Sequence, residues 1–201
     1  MRIPAFGLAL VLLFSLQAAN ETVDRGKVLG NLSAPLTLEI FSSYDCPHCK
    51  IMHEQDLPRL MQDFVVPGKA CIISREFPLP PPAHPYAREA ADYATAAARI
   101  GKFDAVAEAL FRNQMTWALN GKVWDTVSAA LTPTERPKVM ALAKDPGVIA
   151  EVDRDLKAVA AAGINSTPSI VITVKGRRMA PIGNPQTYEL LKQYLNSLLA
   201  R

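Results

Sequence analysis

Two cysteines separated by two residues constrain this chain more than any other feature. The segment Cys46-Pro47-His48-Cys49 follows an apolar, strand-like run at residues 36–41, and a helical pattern begins at the cysteines. Cysteines at this spacing, at the start of a helix, form a redox pair whose disulfide closes and opens without rearranging the fold. The sequence therefore predicts that Cys46 and Cys49 are the reactive residues.

The residues around Cys46 favour its thiolate. A helix N-terminus offers free N–H groups and positive potential to an anion on Cys46, and Pro47 occupies the first turn, where a missing backbone donor costs nothing. The His48 imidazole can donate a hydrogen bond or positive charge to the Cys46 sulfur. If the pKa of Cys46 falls from ~8.5 to ~4, the reduced form gains about 4 kcal/mol at neutral pH, on the order of 90 mV toward an oxidising couple.

A metal site and an inert structural disulfide are the alternatives for this cysteine pair. A structural zinc site needs four ligands, and the third cysteine, Cys71, lies in a strand-like run at residues 69–75. We therefore expect no metal at the pair and a buried, unreactive thiol at Cys71. Both alternatives stay open on the sequence alone.

The cysteine motif and four further segments resemble the DsbA family of thiol oxidases in the thioredoxin superfamily. The segments are Leu-Gly-Asn-Leu-Ser-Ala-Pro at 29–35, Arg-Glu-Phe-Pro-Leu at 75–79, Gly-Lys-Phe at 101–103 and Gly-Ile-Asn-Ser-Thr-Pro-Ser at 163–169. The resemblance implies an α/β, thioredoxin-like fold with an inserted helical domain. It also implies an enzyme whose redox group is its own Cys46–Cys49 disulfide, with no other cofactor.

The same resemblance implies a substrate-binding role for Thr167 and Pro168. In thioredoxin-like proteins a proline packs beside the cysteines, and the residue before it presents its backbone to the substrate. DsbA itself has valine where this chain has Thr167, which leaves the direction of the redox reaction open. The superfamily often buries an acidic proton acceptor behind the cysteines. Glu39 is the candidate, although its spacing is one residue longer than usual, and a partly solvated carboxylate at a strand end is the alternative.

The remaining periodicity predicts the order of the other elements. Strands are expected at residues 70–77, 169–174 and 177–182, with four or five helices in an insertion at about 85–163 and a last helix at 186–199 that Asn184 caps. Pro58 is expected to kink the helix that follows the cysteines. The segment 78–85 contains five prolines and therefore predicts a stiff extended connector.

Asp45 and His53, which lie near the motif, are expected to take no part in the chemistry. Asp45 would oppose a thiolate on Cys46 if it pointed inward, and we expect instead a solvated loop carboxylate. His53 lies four residues after Cys49 and is expected to be a packed or surface histidine. His84, in the proline-rich connector, has no partner that the sequence identifies.

The N-terminal segment and the charge bear on where the protein acts. Residues 1–19 resemble a secretory signal with Arg2 before an apolar run, but the cleavage position is imperfect, so an uncleaved membrane anchor is the alternative. Export agrees with a redox pair, because periplasmic and other extracytoplasmic compartments tolerate disulfides. Without Arg2, 21 basic residues face 19 acidic ones, and a net charge of +2 is too balanced to favour nucleic acid.

The predicted function is to introduce disulfide bonds into unfolded exported proteins that carry free cysteines. Residues 20–201 are expected to form one DsbA-like domain, and the short lead-in leaves no room for an N-terminal dimerisation domain, so we expect a monomer. A quinone-linked thiol oxidase of the membrane would reoxidise the cysteine pair. A reductase or isomerase on the same scaffold, and a thiol chaperone for metal or haem maturation, are the alternative functions.

Overall fold

The core of the fold is a mixed β-sheet. A computed structural model describes residues 24–185 and 187–200, and within them the strand order is β1-β3-β2-β4-β5, with β6 also paired to β4. Among the described strands, β2 and β3 are parallel and the other pairs are antiparallel. The strands are β1 Val28–Leu29, β2 Leu36–Ser42, β3 Ala70–Glu76, β4 Ser169–Val174, β5 Arg177–Arg178 and β6 Ile182–Gly183.

Strand β2 lies at the centre of the sheet and leads directly to the cysteines. It pairs with β3 on one side and β4 on the other, so that Ile40 is opposite Ser74 and Ile170. Leu38 and Ile40 belong to the core on one face of the sheet, whereas Phe41 packs in a smaller core on the other face. A strand covered on both faces needs an almost continuous apolar run, and the predicted central strand is confirmed.

The helical segment that begins within the cysteine motif runs from residue 47 to 65 and changes its winding three times. The α-helices α1, Pro47–Ile51, and α2, Leu57–Leu60, alternate with wider π-helical turns at Met52–Asp56 and Met61–Val65. In the first wide turn, the N–H of Leu57 donates to the Met52 carbonyl, five residues earlier. Pro58 follows at once and has no N–H. The change of winding therefore occurs where the sequence predicts a kink.

A block of helices connects β3 to β4 and has its own core. Within the described residues it contains six helices, one or two more than predicted, because the short α5 has no clear apolar stripe. The alanine-rich α3 contacts α4, α7 and α8, and the core of the block includes both Cys46 and Cys49. The helices are α3 Ala87–Ala98, α4 Phe103–Arg112, α5 Gln114–Asn120, α6 Val123–Ala129, α7 Arg136–Leu142 and α8 Pro146–Ala161.

The chain after β4 differs in detail from the prediction. The strand expected at 177–182 is divided into β5 and β6, and the last helix, α9, spans Tyr188–Leu199. Thr187 caps α9, because its Oγ1 accepts a hydrogen bond from the Leu190 N–H at 3.3 Å, so the predicted cap at Asn184 is wrong.

The predicted leader at residues 1–19 and the domain limits at 20 and 201 lie outside the described residues. Within 24–185 and 187–200, none of the helices combines the length and the apolar character needed to cross a membrane.

Candidate active site

The two cysteines lie at the start of α1, and both are buried free thiols in this structure. Cys46 is the N-cap residue with extended backbone angles, which puts it directly before the first N–H groups of the helix. Its exposed fraction is 6%, against 1% for Cys49. A thiol of another protein can therefore reach the sulfur of Cys46 more easily than that of Cys49. Thiol–disulfide exchange requires such access to the sulfur that is attacked.

Thr167 and Pro168 lie beside Cys46 and are joined by a cis peptide bond. The Cys46 thiol donates a hydrogen bond to the Thr167 carbonyl at 3.4 Å. Cys46 and Thr167 are 121 positions apart in the sequence, and the sheet brings them together. Ser169, the first residue of β4, is opposite Phe41 near the end of β2. The register thus brings the two predicted substrate-binding residues next to the predicted nucleophile.

The environment of Cys46 lowers its pKa to about 5. The largest cause is a hydrogen bond from the Cys49 thiol to the Cys46 sulfur, which outweighs the opposing effect of burial. The side chain of Thr167 and the backbone N–H groups of Cys49 and His48 stabilise the same thiolate. The helix start, the neighbouring thiol and the Thr167 side chain therefore all lower the pKa of Cys46.

Cys49 is shifted the opposite way. Burial raises its pKa far above the ordinary value, and the hydrogen bond that it donates to the Cys46 sulfur adds to that shift. In the reduced pair, Cys46 therefore carries the charge and Cys49 keeps its proton. Such a division gives the pair one thiolate that forms and leaves readily and one sulfur that must exchange a proton during the reaction.

Pro47 and His48 are both exposed. His48 contributes its backbone N–H to the Cys46 thiolate, and the predicted contribution of its imidazole stays a prediction. Its side chain borders a groove of about 450 Å³ that also touches Pro168, Ile51 and Arg59. The groove thus lies directly beside the redox pair.

Gln114, at the start of α5, holds the loop that carries Cys46. Its side-chain amide donates to the Tyr44 carbonyl at 2.7 Å and to the Cys46 carbonyl at 3.0 Å, and the residue is 2% exposed. Sequence reasoning missed this residue. No local signal could have indicated it, because its partners are backbone carbonyls about 70 positions away.

A cavity of about 50 Å³ borders Cys49. Its lining includes Cys49 together with Tyr44, His53, Glu76 and Asp104. The cavity is polar in part and large enough to hold a water molecule. Groups that can exchange protons therefore surround the space next to the buried sulfur.

Glu76 is the most perturbed carboxylate at this cavity. Burial raises its pKa to about 7, although the nearby Lys27 ammonium opposes the shift. Lys27 Nζ is 3.2 Å from Glu76 and 3.1 Å from Glu151, and the Tyr44 hydroxyl donates to Glu76 at 3.4 Å. A buried acid with a pKa near neutrality can give or take a proton at little cost.

Glu39 does not fill the role for which the sequence made it a candidate. It lies on the opposite face of β2 from Ile40, which borders the cavity, and it forms ion pairs with Arg75 and Arg178. Its exposed fraction is 4%, so the alternative of a partly solvated carboxylate is also wrong. Side chains alternate between the faces of a strand, and the extra residue before the cysteines turns Glu39 away from them.

The other polar residues near the motif have mixed outcomes. Asp45 is not solvated, since its side chain is only 6% exposed and contacts His84. His53 packs against Phe111 with ring centroids 4.6 Å apart, as expected of a packed histidine. The predicted burial of Cys71 is confirmed by its exposed fraction of 0%. Among the described residues, no three His, Cys, Asp or Glu side chains form a group that could hold a metal ion.

Comparison with known proteins agrees with this geometry. The sequence profile of a family described as thioredoxin matches residues 22–197, whereas no curated protein matches the chain. Wolbachia pipientis alpha-DsbA1 is 18% identical, with 86% of this chain and 89% of that chain covered and a TM-score of 0.69. Bacillus subtilis BdbD in its oxidised form is 22% identical, with 87% of this chain and 93% of that chain covered and a TM-score of 0.68. Pseudomonas aeruginosa DsbA2 is 21% identical, with 83% of this chain and 90% of that chain covered and a TM-score of 0.62. The predicted α/β, thioredoxin-like fold with a helical insertion is confirmed.

Proposed function

Because this chain belongs to the thioredoxin family and has the DsbA-type fold, we propose that it is a thiol oxidase that introduces disulfide bonds into exported proteins. Its class, a thiol:disulfide oxidoreductase, follows from the family and the cysteine pair. The direction of the reaction is the proposal, and the observation that carries it is the pKa of Cys46, about 5, beside a Cys49 that keeps its proton.

The reaction begins with the Cys46–Cys49 disulfide. A substrate thiolate attacks the Cys46 sulfur, a mixed disulfide forms, and Cys49 leaves and takes up a proton. A second substrate thiolate then attacks the substrate sulfur of the mixed disulfide, and Cys46 leaves as its stable thiolate. Two substrate thiols thereby lose two electrons and two protons, and the cysteine pair gains both electrons.

The magnitude favours oxidation of substrates. The pKa of Cys46, about 5, lies roughly two units below neutral pH. At about 1.4 kcal/mol per unit, ionisation of Cys46 stabilises the reduced form by roughly 3 kcal/mol. That converts to on the order of 60 mV toward an oxidising couple. The shift is smaller than the ~90 mV that a pKa of ~4 would give, and it has the same sign.

We propose that Glu76 donates a proton to Cys49 and accepts one from it. When the disulfide opens, the buried Cys49 sulfur needs a proton, and when the disulfide is restored it must lose one. Glu76 borders the same cavity of about 50 Å³, has a pKa of about 7, and is stabilised as an anion by Lys27. Its two protonation states are therefore both accessible at neutral pH.

Substrate recognition is expected to rely on the main chain. The Thr167 carbonyl lies 3.4 Å from the Cys46 sulfur, so a peptide that pairs with the backbone at Thr167 would bring its own cysteine to Cys46. Main-chain pairing suits an enzyme that acts on many unfolded chains. The groove beside His48 and Pro168, of about 450 Å³, gives the rest of such a peptide a place to lie.

The partners complete the cycle. We propose that unfolded exported proteins with free cysteines are the substrates and that the protein acts as a monomer in the periplasm or another extracytoplasmic compartment. Each turnover leaves Cys46 and Cys49 reduced, so an electron acceptor is needed. A quinone-linked thiol oxidase of the membrane would supply it.

The reduction potential of the pair tests the direction. We expect equilibration with glutathione to give a value on the order of 60 mV above the roughly −270 mV of thioredoxin, in the direction of the roughly −120 mV of DsbA. The purified oxidised protein should also form disulfides in a reduced, unfolded substrate protein, and Cys46→Ser should abolish this activity. A potential near that of thioredoxin, with reduction of protein disulfides instead, would favour the reductase.

A further inference from the structure

A histidine from the proline-rich connector contacts the carboxylate next to the redox cysteine. His84 Nδ1 lies 2.6 Å from Asp45 Oδ2, and the Ser43 hydroxyl donates to Asp45 Oδ1 at 2.6 Å. The Asp45 side chain is 6% exposed, against 32% for His84. Within the described residues, these two groups are the partners of the Asp45 carboxylate.

The connector is also attached at a second point. The Leu79 N–H donates to the Ser43 hydroxyl oxygen at 3.2 Å, and the Cys46 N–H donates to the Ser43 carbonyl at 3.2 Å. The segment 78–85 thus reaches the backbone that immediately precedes Cys46 through Ser43 and through Asp45. Any change at His84 is transmitted to the start of α1 over very few atoms.

An uncompensated carboxylate on Asp45 would oppose a thiolate on the adjacent Cys46. Two anions on adjacent residues repel each other, and burial of the carboxylate reduces the screening by water. A protonated imidazole in contact with that carboxylate forms an ion pair with no net charge. The structure contains this compensating partner at hydrogen-bond distance from Asp45.

We propose that His84 is a positioning residue that neutralises Asp45 and so prevents Asp45 from opposing the Cys46 thiolate. The inference rests on the proposed function only in taking Cys46 as the attacking thiol, and it holds for either direction of the redox reaction. A purely mechanical role, in which the contact only fastens the connector to the loop, is the competing explanation.

A double-mutant cycle separates charge from fastening. The titration of the Cys46 thiolate, followed by its ultraviolet absorbance in the reduced protein, is measured for wild type, His84→Gln, Asp45→Asn and the double variant. Glutamine keeps a hydrogen-bond donor but cannot carry the charge, and asparagine keeps the shape of Asp45 without its charge. Ser43→Ala is the matched control, because it removes the other hydrogen bond of Asp45 without a change of charge.

The two single variants are expected to have unequal effects on the titration. His84→Gln should raise the pKa of Cys46 by roughly half to one pH unit, about three- to tenfold less thiolate at a given acidic pH, whereas Asp45→Asn should shift it much less, because the wild-type pair carries no net charge. In the double variant, His84→Gln should have no further effect, since its target charge is gone. Ser43→Ala should move the titration less than His84→Gln does.

Three outcomes would overturn the proposal. Equal effects of His84→Gln with and without Asp45, a fall of the Cys46 pKa with His84→Gln, or no shift with His84→Gln would each leave only the mechanical role. Because the readout is the thiolate and not turnover, a protein that proves to be a reductase could still show the expected cycle. If His84→Gln does not fold, His84→Asn takes its place in the cycle, and a Cys46 titration equal to that of wild type then refutes the proposal.

Discussion

The pKa of Cys46 makes the stability of the reduced protein depend on pH in a defined window. Its folded-state value, about 5, lies below the ordinary thiol value. The thiolate therefore stabilises the fold fully above the pKa of the unfolded thiol, and this stabilisation is lost as the pH falls through 5. Between pH ~4 and pH ~7 the free energy of unfolding of the reduced form should gain roughly 3 kcal/mol from Cys46.

The oxidised form provides the internal reference. It has no thiolate at Cys46, so the quantity to follow is the difference in unfolding free energy between the reduced and oxidised proteins. The loop-closure entropy of the disulfide does not depend on pH and cancels in the change of this difference with pH. Titration of other groups, including Glu76 with its pKa of about 7, also cancels as far as it is the same in both forms.

Urea unfolding of both forms at several pH values measures the difference. We expect the unfolding free energy of the reduced form, relative to that of the oxidised form, to increase steadily from pH ~5 upward. The slope of this difference should approach about 1.4 kcal/mol per pH unit. Reduced Cys46→Ser, which lacks the thiolate, is the matched control and should follow the oxidised wild type. A difference that stays constant from pH ~4 to pH ~7 would refute the reasoning from the Cys46 pKa.

Four further substitutions test the site. Thr167→Val should raise the pKa of Cys46 by up to about one unit, because the threonine side chain stabilises the thiolate; thiolate absorbance measures this. His48→Ala should make the potential more reducing by about 30 mV, and an unchanged titration of Cys46 would contradict a role for the imidazole. Glu76→Gln should remove the step near pH 7 from the pH profile of reoxidation by a small disulfide, measured by stopped flow. Cys71→Ala should leave the potential unchanged and cost roughly 1 kcal/mol in urea unfolding, since its side chain is buried in the sheet.

The sequence predicted the parts of the site that depend on local order along the chain. The spacing of Cys46 and Cys49 after an apolar strand requires no knowledge of distant residues, and the fold resemblance added Thr167 and Pro168. The sheet then brings these two segments together, because β2 and β4 are neighbours in a register that ends at the cysteine loop. The proximity of Thr167 and Pro168 to Cys46 follows from this strand pairing, and their role in binding substrate stays a prediction.

The polar residues behind the cysteines could not be assigned in this way. Whether a carboxylate faces the sulfur depends on the parity of its strand position, and one extra residue turns Glu39 to the opposite face. Glu76 reaches the cavity from the neighbouring strand instead. Asp45 was expected in solvent because its partner, His84, lies 39 residues away in a connector without regular structure. Sequence periodicity carries no information about such a contact.

The helical insertion is a structural part of the redox site as well as a cover over the sheet. Gln114 of α5 binds the carbonyls of Tyr44 and Cys46, and the connector that leads into the insertion contacts Asp45 through His84. The backbone that leads into α1 is therefore held at residues 44–46 by groups that a minimal sheet and helix would not supply. A thiolate is stabilised by N–H groups only while they point at the sulfur. The contacts of Gln114 and His84 fix the loop that carries Cys46, and the insertion thereby helps to hold the first N–H groups of α1 in line with the sulfur.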